Sequence, residues 1–265
     1  MNTSGLQPLT FAVPTYGSDN LLKRNFLASP CFSGDNRHQF LIQRDYNSAS
    51  RAYNDAIDAA SNDLVVFVHQ DMIFPANWLA DLDLALKYMD SLDPDWGVLG
   101  CFGVTAAGVG QGYIYSPGRG IFGAPVPHPV KVQTLDEIVL IIRKSSGLRF
   151  DPDLPHFHLY GADICLRAAQ KGMSSYVIPA FCIHNANQYC VLPQEYYECY
   201  RYIQQAWRDA LPVQTTCLEV TKSNMGVYKR RLREAYVQIR RKGFIAPRAD
   251  DISKLLADAL SHASI

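Results

Sequence analysis

Between Ser48 and Asp71 the chain changes its apolar period abruptly. Ala49, Ala52, Tyr53, Ala56, Ile57 and Ala60 recur at helical spacing behind Asn47 or Ser48 as N-cap, and Leu64–Val68 then forms an uninterrupted apolar run. A helix that feeds directly into a buried strand is one step of a layered α/β structure. The strand ends in His69-Gln70-Asp71, where alternate positions put an imidazole and a carboxylate on the same side of its end. Such a pair suits a divalent cation holding a diphosphate, and it suits equally a half-buried histidine beside an ordinary strand-end acid.

The alternation continues on both sides. Leu9–Val13, stopped by Pro14-Thr15-Tyr16-Gly17, and Phe40–Ile42 read as short strands; Pro75 opens a helix through about Met89; and Gly97–Phe102 reads as a fourth strand. This order predicts an α/β fold with a mainly parallel sheet flanked by helices. Val130–Gln133 and Ile138–Ile142 add strands. A helix over about Ala162–Lys171, closed by Gly172 at C′, and a strand over Tyr176–Ile183 ending on His184 follow. The glycine-rich stretch Gly103–Gly123 fits neither a Walker loop nor a dinucleotide fingerprint and reads as a flexible loop. From Pro193 onward the pattern predicts helices only, over about 194–210, 226–242 and 250–262. The expected organisation is an α/β domain over 1–192 and a helical C-terminal extension over 193–265.

Composition narrows the partners. A chain of 265 residues, 48% hydrophobic, can bury one sizeable core. Its 25 basic and 25 acidic side chains cancel, so no global field recruits nucleic acid or an anionic membrane, and any charged partner must be met locally. Met1–Pro8 lacks the features of a signal peptide and no apolar run is long enough to span a bilayer, so a soluble, cytoplasmic protein is expected. The seven cysteines are scattered, never Cys-x-x-Cys, and read as reduced core thiols. Lys229, Arg230, Arg231, Arg233, Arg240, Arg241 and Lys242 stand against a lone Glu234 on the middle C-terminal helix, either as a solvated face or as a patch for phosphate, lipid or a polyanionic acceptor. Tyr196, Tyr197, Tyr200, Tyr202 and Trp207 suit core packing, sugar stacking or a subunit contact, so a homo-oligomer through these helices is one expectation.

Ligands of open α/β sheets bind beyond the carboxyl ends of the strands, so Asp71 and His184, each closing a strand, are placed to meet. A carboxylate oxygen and an imidazole nitrogen form a partial shell for Mn²⁺; Mg²⁺ would serve if phosphate oxygens and waters filled most of the shell. Asp163, in Leu159-Tyr160-Gly161-Ala162-Asp163, stands in the first turn of its helix, where an acid also complements the macrodipole.

Taken in order, these segments resemble the family 2-like glycosyltransferases of the GT-A fold, and more closely the branch typified by the streptomycin-biosynthesis glycosyltransferase-like domain. The resemblance covers about Phe11 to His184. Pro14-Thr15-Tyr16 looks like the first-strand exit, Ala52-Tyr53-Asn54-Asp55-Ala56-Ile57 like the helix before the metal strand, and His69-Gln70-Asp71 stands in place of Asp-X-Asp. Phe150-Asp151-Pro152 with His158–Leu166 is similar to the acceptor-side segment whose acid is the base of inverting enzymes, and His184 matches the distal histidine of the metal site. Two departures stand out. The triad begins with histidine, and the nucleotide-reading Asp-Asp-Gly-Ser module is replaced by Gln43-Arg44-Asp45-Tyr46-Asn47.

The resemblance implies a nucleoside-diphosphate sugar as donor, an acceptor hydroxyl of unknown identity, and Mn²⁺ or Mg²⁺ held by Asp71 and His184. Asp163 would be the proton acceptor, with inversion at the anomeric carbon. Pro14, Tyr16, His69 and Gln70 would line the donor side, Arg51 or Arg44 would contact the diphosphate, and Asp136, Glu137 and His158 would meet sugar or acceptor hydroxyls. A non-catalytic nucleotide-sugar-binding or interaction module on the same fold is the main alternative, supported by the histidine in the triad. A nucleotidyltransferase lacks its glycine-rich signature here, and a zinc hydrolase using His156, His158 and His184 lacks a helical His-Glu-x-x-His.

Overall fold

A computed structural model describes residues 5–17, 19–189, 191–241 and 244–263. In chain order its elements are β1 (Thr10–Pro14), α1 (Asn20–Arg24), β2 (Gln39–Gln43), α2 (Ala49–Ala59), β3 (Leu64–Val68), β4 (Met72–Ile73), α3 (Trp78–Leu92), β5 (Val98–Gly100), β6 (Phe102–Val104), β7 (Gly110–Ser116) and β8 (Gly120–Ala124). There follow β9 (Val130–Val132), β10 (Thr134–Leu135), β11 (Val139–Arg143), α4 (Tyr160–Gln170), β12 (Ser175–Val177), β13 (Cys182–His184), β14 (Gln188–Tyr189), α5 (Gln194–Ala206), α6 (Met225–Arg241), β15 (Phe244–Ala246) and α7 (Ile252–Ala263). Cys190 and Lys242 lie outside the described residues.

The α/β class is as expected: a central sheet of order β2-β1-β3-β11-β5-β12-β9 is flanked by helices. β1, β2, β3, β5 and β12 run in one direction, whereas β11 and β9 run against them. Period-two alternation divides the core into two layers. Phe11 and Val13, Val66 and Val68, and Val139 and Ile141 face a layer with Phe26, Phe74, Trp78 and Met89. Ala12, Val65, Phe67, Leu140 and Ile142 face the opposite layer, filled by Tyr53 of α2, Phe150, Tyr160 of α4 and Tyr200 of α5. β3 is apolar at every position and β11 at all but its last, because both faces of these central strands are covered. The C-terminal helix α5 is therefore built into the same core as α2 and α4.

A second sheet, β10-β6-β7-β13-β4 with β8 on β7, stands beside the first. It overturns the reading of Gly103–Gly123 as a flexible loop, because most of that stretch is the β7–β8 hairpin. The glycines are there for close approach: Gly112 and Gly123 hold φ near +81° and +75°, and a Cβ on either would strike the backbone of Cys101 or Gly112. Two expected single strands are likewise split between sheets. Gly97–Phe102 breaks at Cys101 into β5 and β6, and Tyr176–His184 breaks around Pro179 into β12 and β13. An all-helical C-terminus is also corrected, since β15 pairs with β14. Cys31, Cys101, Cys165, Cys182 and Cys199 are free and buried, as read from the sequence, while Cys217 is free but exposed.

Asp81, on α3, receives a hydrogen bond from Asn77 Nδ2 at 2.7 Å, and burial pushes its pKa up to about 6. The folded state thus holds a proton that the unfolded chain gives up near pH 4, so the stability this proton confers is lost as pH rises through about 6. Asp81→Asn is expected to raise stability at pH 7.5 by about 1–2 kcal/mol after allowance for solvent screening, and to leave it unchanged at pH 4. Paired thermal melts at the two pH values measure this.

Candidate metal centre

Strand direction and register create the site. β3 delivers His69 and Asp71 at its carboxyl end, and β13 pairs antiparallel with β4 so that His184 lies opposite Met72. The Asn185 N–H then donates to the Asp71 carbonyl at 2.9 Å, locking the two segments together. His69, Asp71 and His184 each bring one donor atom within 4.8 Å of the others. His184 Nε2 stands 3.4 Å from Asp71 Oδ1, and the imidazoles of His69 and His184 are 5.7 Å apart. The sequence pairing of Asp71 with His184 is realised, and His69 joins them as a third candidate donor.

Tyr160 sets the tautomer of His69. Its hydroxyl lies 2.7 Å from His69 Nε2 and donates to the Glu137 carbonyl at 3.1 Å. Having spent its one proton there, the hydroxyl accepts from His69 Nε2–H, which leaves Nδ1 with a free lone pair. Burial, with the charge of His184, lowers the His69 pKa and keeps the ring neutral. Burial pulls His184 down as well, but the charge and hydrogen bond of Asp71 outweigh it and raise its pKa. For Asp71 burial pushes up, and His184, His69 and Arg248 together overcome this to hold it at about 2. Two imidazole nitrogens and a carboxylate are a donor set that fits Mn²⁺ better than Mg²⁺, which prefers an all-oxygen shell. Tyr160→Phe frees the His69 tautomer and is expected to weaken Mn²⁺ binding by about tenfold or more, measured by calorimetry on the purified chain.

Because β11 runs antiparallel to β3, the residues that precede it arrive where β3 ends. The His69 N–H points to the Ile138 carbonyl at 3.4 Å, and Asp136 and Glu137 enter the rim of the site. Burial first, then the charge of Asp136, raises the Glu137 pKa to about 8. His158 stands against Tyr196 at 5.7 Å, and burial with the nearby His69 drops its pKa to about 4. Leu159, buried with φ +61°, makes the left-handed turn that sets His158 and Tyr160 at the mouth of α4.

Asp163 is placed elsewhere than its expected role requires. It has no exposed surface; one carboxylate oxygen takes the Trp207 indole N–H at 2.8 Å and the other the Arg167 Nε–H at 2.7 Å. Arg167 also bonds Asp151, which Tyr202 holds at 2.9 Å. No oxygen of Asp163 is presented to an incoming hydroxyl, so its geometry is that of a brace between α4 and α5. Arg51 and Arg44 are also engaged, through the Pro152 carbonyl at 2.9 Å and Asp19 at 2.9 Å respectively. Pro14 ends β1 in register with Gln43, and Tyr16 beyond it is 92% exposed on the same edge of the sheet as His69. Gln70, between the two triad donors, has its Oε1 buried with no hydrogen-bond partner among the described residues.

One residue escaped the sequence reading. Arg248 follows β15, which pairs with the segment just beyond His184; its N–H donates to Asn187 Oδ1 at 3.0 Å, and Ala249 exchanges hydrogen bonds of 2.7 and 3.0 Å with Asn185. Its charge acts on both Asp71 and His184, and its Nε is buried with no hydrogen-bond partner among the described residues. No local motif announces an arginine that reaches the site through pairing across about sixty residues.

No family model matches the chain. A curated protein from Fuscovulum blasticum, described as ATP synthase subunits region ORF 6, is 30% identical over 123 residues, 43% of this chain and 48% of that protein, so the match spans about half of the relative's length. Among solved structures, S. aureus TarS aligns with a TM-score of 0.49 at 15% identity over 75% of this chain and 39% of TarS. The mannosyltransferase PcManGT from Pyrobaculum calidifontis, in complex with GDP-Man and Mn²⁺, aligns with a TM-score of 0.49 at 14% identity over 79% and 66%. GalNAc-T7 with UDP, GalNAc and Mn²⁺ aligns with 0.49 at 12% identity over 94% and 60%.

Proposed function

We propose that this chain is a metal-dependent, inverting glycosyltransferase that moves a sugar from a nucleoside-diphosphate sugar to an acceptor hydroxyl, on a core like that of the streptomycin-biosynthesis branch. The observation that carries the reading is the His69–Asp71–His184 cluster at the carboxyl edge of the sheet, with an arginine beside it. His69 Nδ1, the Asp71 carboxylate and His184 Nε2 would hold the cation. When bound, Mn²⁺ neutralises the negative charge that develops on the departing diphosphate. Arg248 adds a second positive charge on the same side, and exposed Tyr16 offers a ring to the nucleobase.

Glu137 takes over the role first expected of Asp163. A carboxylate whose pKa is lifted to about 8 sits in the range where a general base works at physiological pH, and Glu137 is half-buried in the segment that meets the end of β3, its carbonyl on the Tyr160 hydroxyl that contacts His69. As the acceptor oxygen bonds to the anomeric carbon, its proton passes to the Glu137 carboxylate while the bond from that carbon to the diphosphate oxygen breaks on the opposite face. His158, held neutral, orients a hydroxyl without adding charge. The domain boundary near residue 192 becomes, in this reading, the point where the donor-binding core hands over to helices that brace it.

The test is turnover of UDP-, GDP-, dTDP- and CDP-sugars with Mn²⁺, read as release of the nucleoside diphosphate with an acceptor panel. Release from one nucleotide class, dependent on Mn²⁺ and weakened at least about tenfold in KM by Arg248→Ala, is the expected result. Failure of every donor to bind or turn over would leave the interaction-module alternative in its place.

A further inference from the structure

Helix α6 is anchored by one face and leaves the opposite face apolar. Glu234 is buried and accepts from Tyr197 Oη–H at 2.7 Å, the Leu192 N–H at 3.0 Å and Arg230 Nε–H at 2.6 Å. Val227, Arg230 and Val237 share that inward side, each partly buried. Met225, Tyr228, Leu232, Tyr236 and Ile239 fall within an arc of about 80° on the other side, and they are 58 to 85% exposed. Lys229, Arg233 and Arg240 border this stripe along one edge, with the Arg240 guanidinium 5.3 Å from the Tyr236 ring. In a chain whose charges cancel overall, residues 225–241 carry six cations and one acid, and that acid points inward.

We propose that α6 is a surface-seeking helix that lies in the interface of an anionic lipid bilayer, with the Met225–Ile239 stripe in the headgroup–acyl boundary and the flanking cations on the phosphates. An apolar stripe edged by lysine and arginine matches the two layers of such an interface, apolar below and anionic above. Nucleic acid would meet five apolar side chains where it offers phosphate. A second copy docked through the same stripe would bring Lys229, Arg233 and Arg240 against their counterparts with no outward acid on the helix to offset them. None of the helices among the described residues is long and apolar enough to cross a membrane, so the contact is parallel to the surface. The proposal does not depend on the chemistry of the metal centre.

Co-sedimentation of the full chain with vesicles tests this, using phosphatidylcholine alone and phosphatidylcholine mixed with phosphatidylserine. Pelleting with the anionic vesicles, falling as salt rises, is expected. The double variant Leu232→Glu, Ile239→Glu, at two exposed positions, should lose about tenfold or more in partitioning at unchanged melting temperature, and Lys229→Gln with Arg233→Gln about fivefold for each cation removed. Equal pelleting with both vesicle types, no pelleting with either, or partitioning unaltered by the double variant would overturn the proposal. So would a wild-type dimer by light scattering that the double variant dissociates, which would assign the stripe to a second copy.

Discussion

Glu137→Gln is expected to lower kcat by a factor of about 10²–10⁴ while the protein melts normally and still binds its donor. The amide keeps the shape of the side chain and removes only its capacity to take a proton. Burial and Asp136 raise the Glu137 pKa to about 8, so its carboxylate form grows as pH rises through that value. Wild-type kcat should therefore climb on the acid side, with the limb moved below 8 when a cation binds nearby, and the limb should vanish in the variant. Asp163→Asn separates the two acids. Its loss leaves Arg167 with Asp151 alone and alters the acceptor of Trp207, so about 2 kcal/mol of stability should go while kcat changes by only a few-fold. A collapse of kcat in Asp163→Asn at unchanged stability, with Glu137→Gln active, would return the base to Asp163.

Asp71→Ala is the second large effect. The carboxylate supplies the only negative charge among the three clustered donors, and His184 with His69 holds it at about 2, ionised at any working pH. Removing it leaves two neutral imidazoles facing a divalent cation and a diphosphate. Turnover should fall by about 10³ or more, because stabilising charge on the leaving group is worth several kcal/mol. His184→Ala should cost less, since its place can be filled by water. Turnover that survives Asp71→Ala within a few-fold would mean that the cation, if used, is held elsewhere.

The parts of this site legible in the sequence are those that end a strand. His69 and Asp71 close an apolar run, and His184 closes another, so their shared edge follows from the direction of the strands alone. The antiparallel insertion of β11 was not legible, because an apolar run reads the same in either direction; with it went the placement of Asp136 and Glu137 beside His69. Asp163 misled for a physical reason. An acid in the first turn of a helix looks alike whether it faces a ligand or an arginine four residues on, and only the packing of Trp207, just beyond α5, decides between them. The β7–β8 hairpin hid behind its glycines, which signal freedom in a sequence and close backbone contact in the fold. Arg248 depended on β14–β15 pairing between two-residue and three-residue strands too short to carry a pattern.

The most direct measurement is calorimetric titration of nucleoside diphosphates into the full chain, with and without Mn²⁺, on the wild type and Asp71→Ala. The expected result is one binding event for one base, present only with Mn²⁺ and absent in the variant. Binding of equal strength without metal, or no heat from any nucleoside diphosphate with metal present, would contradict a cation-held diphosphate at His69, Asp71 and His184.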